Sequence, residues 1–172
     1  LEDVFQCQPT ALNLGELRFV RDLQRTLVQH PELIAGFEIY LLRNLSRGKG
    51  LVFSEAGNFY PDFILWLCSD QTQRIVFVDP HGMAHGGGLA DPKVQLHKSI
   101  KLVERALAGG RPEVVLDSFI VSVTPATSLT FQATQAEFEA NNVLFQDDPG
   151  YIAKMLGRVL GTAGTDALLA AE

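Results

Sequence analysis

Apolar residues recur at helical spacing through LGELRFVRDLQRTLVQ, residues 14–29, where Leu17, Val20, Leu23 and Leu27 fall along one side. Asn13 precedes this stretch as an N-cap and Pro31 lies just beyond it, so a helix is predicted there. The pattern then changes. FEIYLLRNL (37–45) is rich in β-branched, aromatic and aliphatic residues and predicts a strand, which SRGKG (46–50) breaks. LVFSEAGN (51–58) is open between a short strand and an ordered loop. NFYPDFILWLC (58–68) and RIVFVDP (74–80) predict two strands around the turn SDQTQ (69–73). Pro61 falls near the start of the first, where a missing N–H is tolerated. After the glycine-rich loop HGMAHGGGLA (81–90), Asp91 and Pro92 supply an N-cap and first-turn pair. The helix they open places Leu96, Ile100, Val103 and Leu107 on one face, and Gly109–Gly110 closes it.

DSFIVSV (117–123) reads as a buried strand, Thr134 and Glu137 as the capping box of a short helix, and VLF (143–145) as a last short strand. Asp148 and Pro149 are expected to start a final helix with Ile152, Met155, Leu156 and Val159 on its apolar side. This order predicts an α/β fold. A central mixed β-sheet, made of an antiparallel hairpin plus a crossover helix and the strand after it, is flanked by helices. Residues 1–172 read as one domain, with a core at about 14–125, a C-terminal helical addition at 126–160 and a small, Ala-rich tail at 161–172 that frays. A first residue of Leu1 instead of Met suggests a piece of a larger protein.

Composition narrows the class. With 172 residues, 47% hydrophobic and 20% charged, the chain has the material for one globular core. No apolar run reaches the roughly 18 residues that span a bilayer, so no membrane partner is expected. Cys7 and Cys68 are too few for a disulfide framework or a cysteine-based zinc site and point to a reducing, cytoplasmic setting. The net charge of −6 does not by itself mark a nucleic-acid binder. Its distribution is uneven: residues 1–111 hold twelve Lys/Arg and twelve Asp/Glu, whereas 112–172 hold two and eight. Two basic groups, Arg18/Arg21/Arg25 at helical spacing and Arg43/Arg47/Lys49, lie in the balanced part.

The hairpin carries the chemistry. If its turn centres between Asp70 and Gln71, residues whose numbers sum to 141 lie opposite each other, and Asp62 faces Asp79. Alternation sends Asp79 and His81 out of the same face. Two carboxylates directly across a ladder, with Cβ atoms about 4.5–5.5 Å apart, repel. A hard divalent cation, Mg²⁺ or Mn²⁺, between them removes that repulsion. Taken singly, each residue also fits a local role, Asp79-Pro80 in a turn and Asp62 bonded to nearby backbone. Three polar side chains at one spot of an otherwise apolar sheet favour a site.

Pro61-Asp62 followed by Asp79-Pro80-His81 resembles the active-site signature of the PD-(D/E)XK nuclease superfamily. FYPDFILWL with IVFVDPHGM is similar, more narrowly, to the nuclease-like domain of helicase-type restriction proteins such as the Res subunit of type III systems. The resemblance implies a restriction-endonuclease-like core over roughly residues 14–125. It also implies metal-dependent cleavage of DNA, an attached helicase or translocase in cis or as a partner subunit, and a homodimer for double-strand cutting. Carried over, Asp62, Asp79 and the Pro80 carbonyl become metal ligands, and Glu16 matches an extra acidic residue that some members place on the first helix. His81 stands where the family has a lysine. Three outcomes follow: His81 substitutes directly, a lysine comes from elsewhere, or the site is weakened and the domain serves as a DNA-binding scaffold. Lys98 and Lys101 on the next helix, and Lys93 near its start, are the lysines within reach; Gln95 matches a helix glutamine of some members. Arg43, Arg47 and Lys49 would bind flanking phosphates.

Other chemistries fit less well. His81 and His85 have a zinc-like spacing only on a helix, which Gly82 and the following glycines oppose. Gly86–Gly88 lacks the spacing of a Walker or dinucleotide loop, and Ser54 and Ser99 have no triad context.

Overall fold

The computed structural model describes residues 11–45, 50–84, 87–130 and 132–161. Among the described residues four α-helices and five strands follow in the order α1 (Leu14–Gln29), β1 (Glu38–Arg43), β2 (Phe63–Cys68), β3 (Gln73–His81), α2 (Pro92–Leu107), β4 (Val114–Ser122), α3 (Gln135–Ala140), β5 (Val143–Phe145) and α4 (Tyr151–Leu160). The strands form one open sheet in the order β1-β2-β3-β4-β5. β1, β2 and β3 are antiparallel neighbours, whereas β3, β4 and β5 run parallel, so the sheet is mixed as expected. Among the described residues no helix is long and apolar enough to cross a membrane.

Period-2 alternation divides β2 between two cores. Phe63, Leu65 and Leu67 pack with Phe19 and Leu23 of α1 and with Met155 and Leu156 of α4. Ile64 turns to the other face, against Val94, Leu96 and Ile100 of α2 and Phe138 of α3. A strand covered on both faces reads as a continuous apolar run, which is why FILWLC shows no polar alternation. Each fully buried Leu or Phe side chain contributes about 2–3 kcal/mol. β1 is less covered: Tyr40 is 55% and Leu42 52% exposed at the sheet edge.

One open reading resolves, and two details differ from expectation. The segment 51–58 holds no regular strand; Ser54–Ala56 form a 3₁₀ turn closed by a single antiparallel bridge between Phe53 and Phe59. Gly57 (φ 72°) and Asn58 (φ 58°) turn the chain back through left-handed conformations, which glycine and asparagine tolerate best. α4 begins at Tyr151 with Gly150 as N-cap, because Asp148 Oδ1 accepts from the Gly150 N–H (2.9 Å) in a turn before the helix. In α2, Val103 and Leu107 are 39% and 40% exposed. There the helix is tied to β4 by polar contacts, Glu104 Oε2 accepting from the Leu116 N–H at 2.6 Å.

Candidate active site

β2 and β3 pair in the anticipated register, Phe63 opposite Val78 and Cys68 opposite Gln73. Asp62, one residue ahead of β2, therefore lies across from Asp79. Its backbone is held from β1, since the Asn44 N–H donates to Asp62 O (2.8 Å) and Asn44 Nδ2 to Pro61 O (2.9 Å). Backbone direction alternates along a strand. The Asn44–Asp62 bond turns Asp62 toward β1, so Phe63 turns toward β3, and Val78 and Pro80 toward β2. Pro80 thus has its missing donor on the side where β2 has already ended, which reconciles a proline with a central strand. Its carbonyl is directed to the same gap. Asp79 and His81 turn their backbones to β4, where the Val123 N–H donates to His81 O (3.0 Å).

Asp79 is 4% exposed, and its Oδ2 is buried without a hydrogen-bond partner among the described residues. Burial, and then the facing Asp62 charge, push the Asp79 carboxyl up to about 7. Burial and then the Glu16 charge push Asp62 up to about 6, with Arg43 and Lys93 acting in the opposite sense. Both acids are thus held above the ordinary carboxylate range by burial and neighbouring negative charge. His81 Nδ1 stands 3.8 Å from Asp79 Oδ2, beyond hydrogen-bond length, with its side chain 47% exposed. Burial and the Lys93 charge hold the imidazole below its ordinary range, so the contact is between a neutral ring and a carboxyl group and not an ion pair.

The remaining expected residues separate. Glu16 is beside the pair, but both its oxygens are committed. Oε1 accepts from Asn13 Nδ2 (2.9 Å), and Oε2 from the Asn13 N–H (3.2 Å) and Arg43 Nη2 (2.9 Å). It is the N3 acid of the α1 capping box and an anchor for Arg43, and its charge acts on Asp62. Arg43 does reach the site, held by Glu16 near Asp62. Arg47 and Lys49 lie outside the described residues, as does His85. The helix residues are not brought in. Gln95 Nε2 donates to Leu89 O, Lys98 Nζ to Gln95 Oε1 (3.2 Å), and Lys101 pairs with Glu104 and Asp117 at 3.0 Å each. Phe59 was not anticipated: the Lys93 ammonium lies 5.2 Å from the centroid of its ring. The Asp91-Pro92 capping signal already put Lys93 in the first turn of α2, at the end of the sheet where β3 finishes.

Among the described residues no three His, Cys, Asp or Glu side chains gather into a group that could hold a metal ion. What the site does offer is two facing carboxyls, one with an orphaned buried oxygen, beside a backbone carbonyl turned to the same gap. That donor set fits a hard cation that keeps several waters, as Mg²⁺ does, and does not form a closed protein cage. No protein-family model matches the chain, and no curated protein matches it.

Proposed function

We propose that this chain is a metal-dependent DNA phosphodiesterase of the PD-(D/E)XK type, with a restriction-endonuclease-like core and Asp62 and Asp79 as its Mg²⁺ or Mn²⁺ ligands. The observation that carries the reading is the Asp62–Asp79 pair, whose repulsion and orphaned Oδ2 a divalent cation would relieve. The Pro80 carbonyl would complete the protein's share of the ligands. When bound, the metal supplies charge on the phosphoryl oxygens and a more acidic water. Asp62 and Asp79 would hold the metal at one fixed place, because one is pinned through β1 and the other lies within β3. His81, neutral and half open to solvent, accepts the proton of the attacking water. Arg43, oriented by Glu16, contacts a flanking phosphate. Each chain brings one carboxyl pair, so a duplex break calls for two copies. Delivery to DNA by an attached helicase or translocase follows from the resemblance.

The test is cleavage of supercoiled, linear and single-stranded DNA with Mg²⁺ or Mn²⁺. Asp79→Ala is expected to abolish it, and His81→Ala to slow it by about 10²-fold or more with metal affinity retained. Cleavage that survives Asp79→Ala unchanged would sink the assignment. The alternative, a DNA-binding scaffold on the same fold, is favoured by one observation: Glu16 is tied to Arg43, which leaves two unpaired acidic side chains at the site. DNA binding without cleavage across metals and substrates would select it.

A further inference from the structure

We propose that Lys93 supplies the cation that holds the scissile phosphate beside Asp62 and Asp79, the task left open by the histidine at the end of β3. This rests on the phosphodiesterase reading above and names a catalytic residue for it.

The position of Lys93 is built from both sides. On its own helix, Asp91 caps α2 by accepting from the Lys93 N–H (2.9 Å), which fixes the first turn next to the end of β3. Across from it, Phe59 is buried and locked to Phe53 by two backbone hydrogen bonds of 2.8 and 3.0 Å. The ammonium rests over that ring at 5.2 Å from its centroid. Phe59 is three residues before Asp62, so Lys93 is anchored to the very segment that carries one of the two carboxyls. A cation–π contact of this kind is worth about 0.5–1 kcal/mol at a partly exposed position and takes up none of the N–H donors.

Those donors distinguish Lys93 from the other described lysines. Lys98 donates to Gln95, Lys101 lies between Glu104 and Asp117, and Lys154 pairs with Asp148 (2.6 Å) and Glu139 (3.4 Å). Among the described residues Lys93 has no carboxylate within ion-pair distance, yet its charge acts on Asp62, Asp79 and His81 together. A cation near two acids but paired with neither is placed to receive an anion between them. In hydrolysis the water oxygen bonds to phosphorus, the bond to the leaving ester oxygen breaks, and negative charge develops on the non-bridging oxygens. Lys93 remains an ammonium throughout and donates a hydrogen bond to one of those oxygens. The proton of the water goes to His81, and solvent protonates the leaving oxygen.

Two measurements on the full chain test this. In Mn²⁺-dependent cleavage of duplex DNA, Lys93→Met should lose about 10²–10³-fold. Lys93→Arg should retain more activity than Lys93→Met, and Lys98→Met should match the parent. Mn²⁺ affinity by calorimetry should not weaken in Lys93→Met. In metal-free binding of a duplex oligonucleotide, followed by fluorescence anisotropy across salt concentrations, Lys93→Met should lower the slope of log K against log salt by about 0.9, one phosphate contact. If Lys93→Met cuts like the parent while Asp79→Ala is dead, the Lys93 assignment is overturned and the phosphodiesterase reading stands. An unchanged salt slope also overturns the assignment. A parent that cuts no DNA overturns the phosphodiesterase reading and this assignment with it.

Discussion

A carboxylate oxygen buried without a partner, as Asp79 Oδ2 is, raises the free energy of the charged state and leaves the neutral acid favoured. The consequence is a stability that depends on pH. Both folded-state values, about 6 for Asp62 and about 7 for Asp79, lie above the ordinary 3.8. Between roughly pH 4 and pH 7 the native state therefore binds more protons than the unfolded chain, and stability falls as pH rises through that window. Asp79→Asn removes the charge. It should make the metal-free protein more stable than the parent at pH 8 by up to about 4 kcal/mol, a difference that shrinks toward pH 4. Urea unfolding at the two pH values measures it. A variant no more stable than the parent at pH 8 would mean that Asp79 is ionised without strain. The facing of the two acids was legible in the sequence, because a hairpin turn fixes which residues oppose each other. The neutrality of His81 was not, since it depends on burial and on the Lys93 charge, which arrive only with tertiary structure.

At the scale of elements, α1 shows how one local motif serves the site. Asn13 and Glu16 form a reciprocal capping box, and the same Glu16 carboxylate reaches Arg43 on β1. The cap was readable as Asn13 before an apolar-periodic run. That Glu16 would also hold Arg43 was not, because that contact joins residues 27 positions apart. Asn13→Ala should cost about 1 kcal/mol, a fall of about 2–4 °C in melting temperature. It should also loosen Arg43, since Glu16 Oε1 loses the Asn13 Nδ2 donor at the helix start. Scanning calorimetry reads the first effect, and a reduced salt dependence of DNA binding the second. A melting temperature equal to the parent's would show that the Arg43 contact alone holds Glu16. The antiparallel β2–β3 hairpin and the parallel β4 after the crossover helix, by contrast, were legible from strand-turn-strand and strand-helix-strand spacing, whereas the places of β1 and β5 at the two edges were not. The late start of α4 escaped because Asp148 can cap a turn as readily as a helix.

For the molecule as a whole, net charge and site charge are distinct quantities. The acidic excess of the C-terminal third is partly neutralised in place: Asp148 and Glu139 pair with Lys154, and Asp117 with Lys101. The end of the sheet that carries Asp62 and Asp79 keeps Arg43 and Lys93, so a net charge of −6 does not bar a polyanion from approaching there. A site with one carboxyl pair acts on one strand at a time. On supercoiled plasmid, the proposed activity should therefore yield nicked circles first, at a rate proportional to protein concentration. Linear product should appear with a steeper dependence, near the square of the concentration, because two copies must meet on one duplex. Gel quantification over a hundredfold range of protein separates the cases. If the ratio of linear to nicked product at equal extents of reaction stays constant over that range, a single copy cuts both strands and the two-copy requirement is wrong. If the ratio climbs, association of two chains on DNA sets the rate of double-strand breakage.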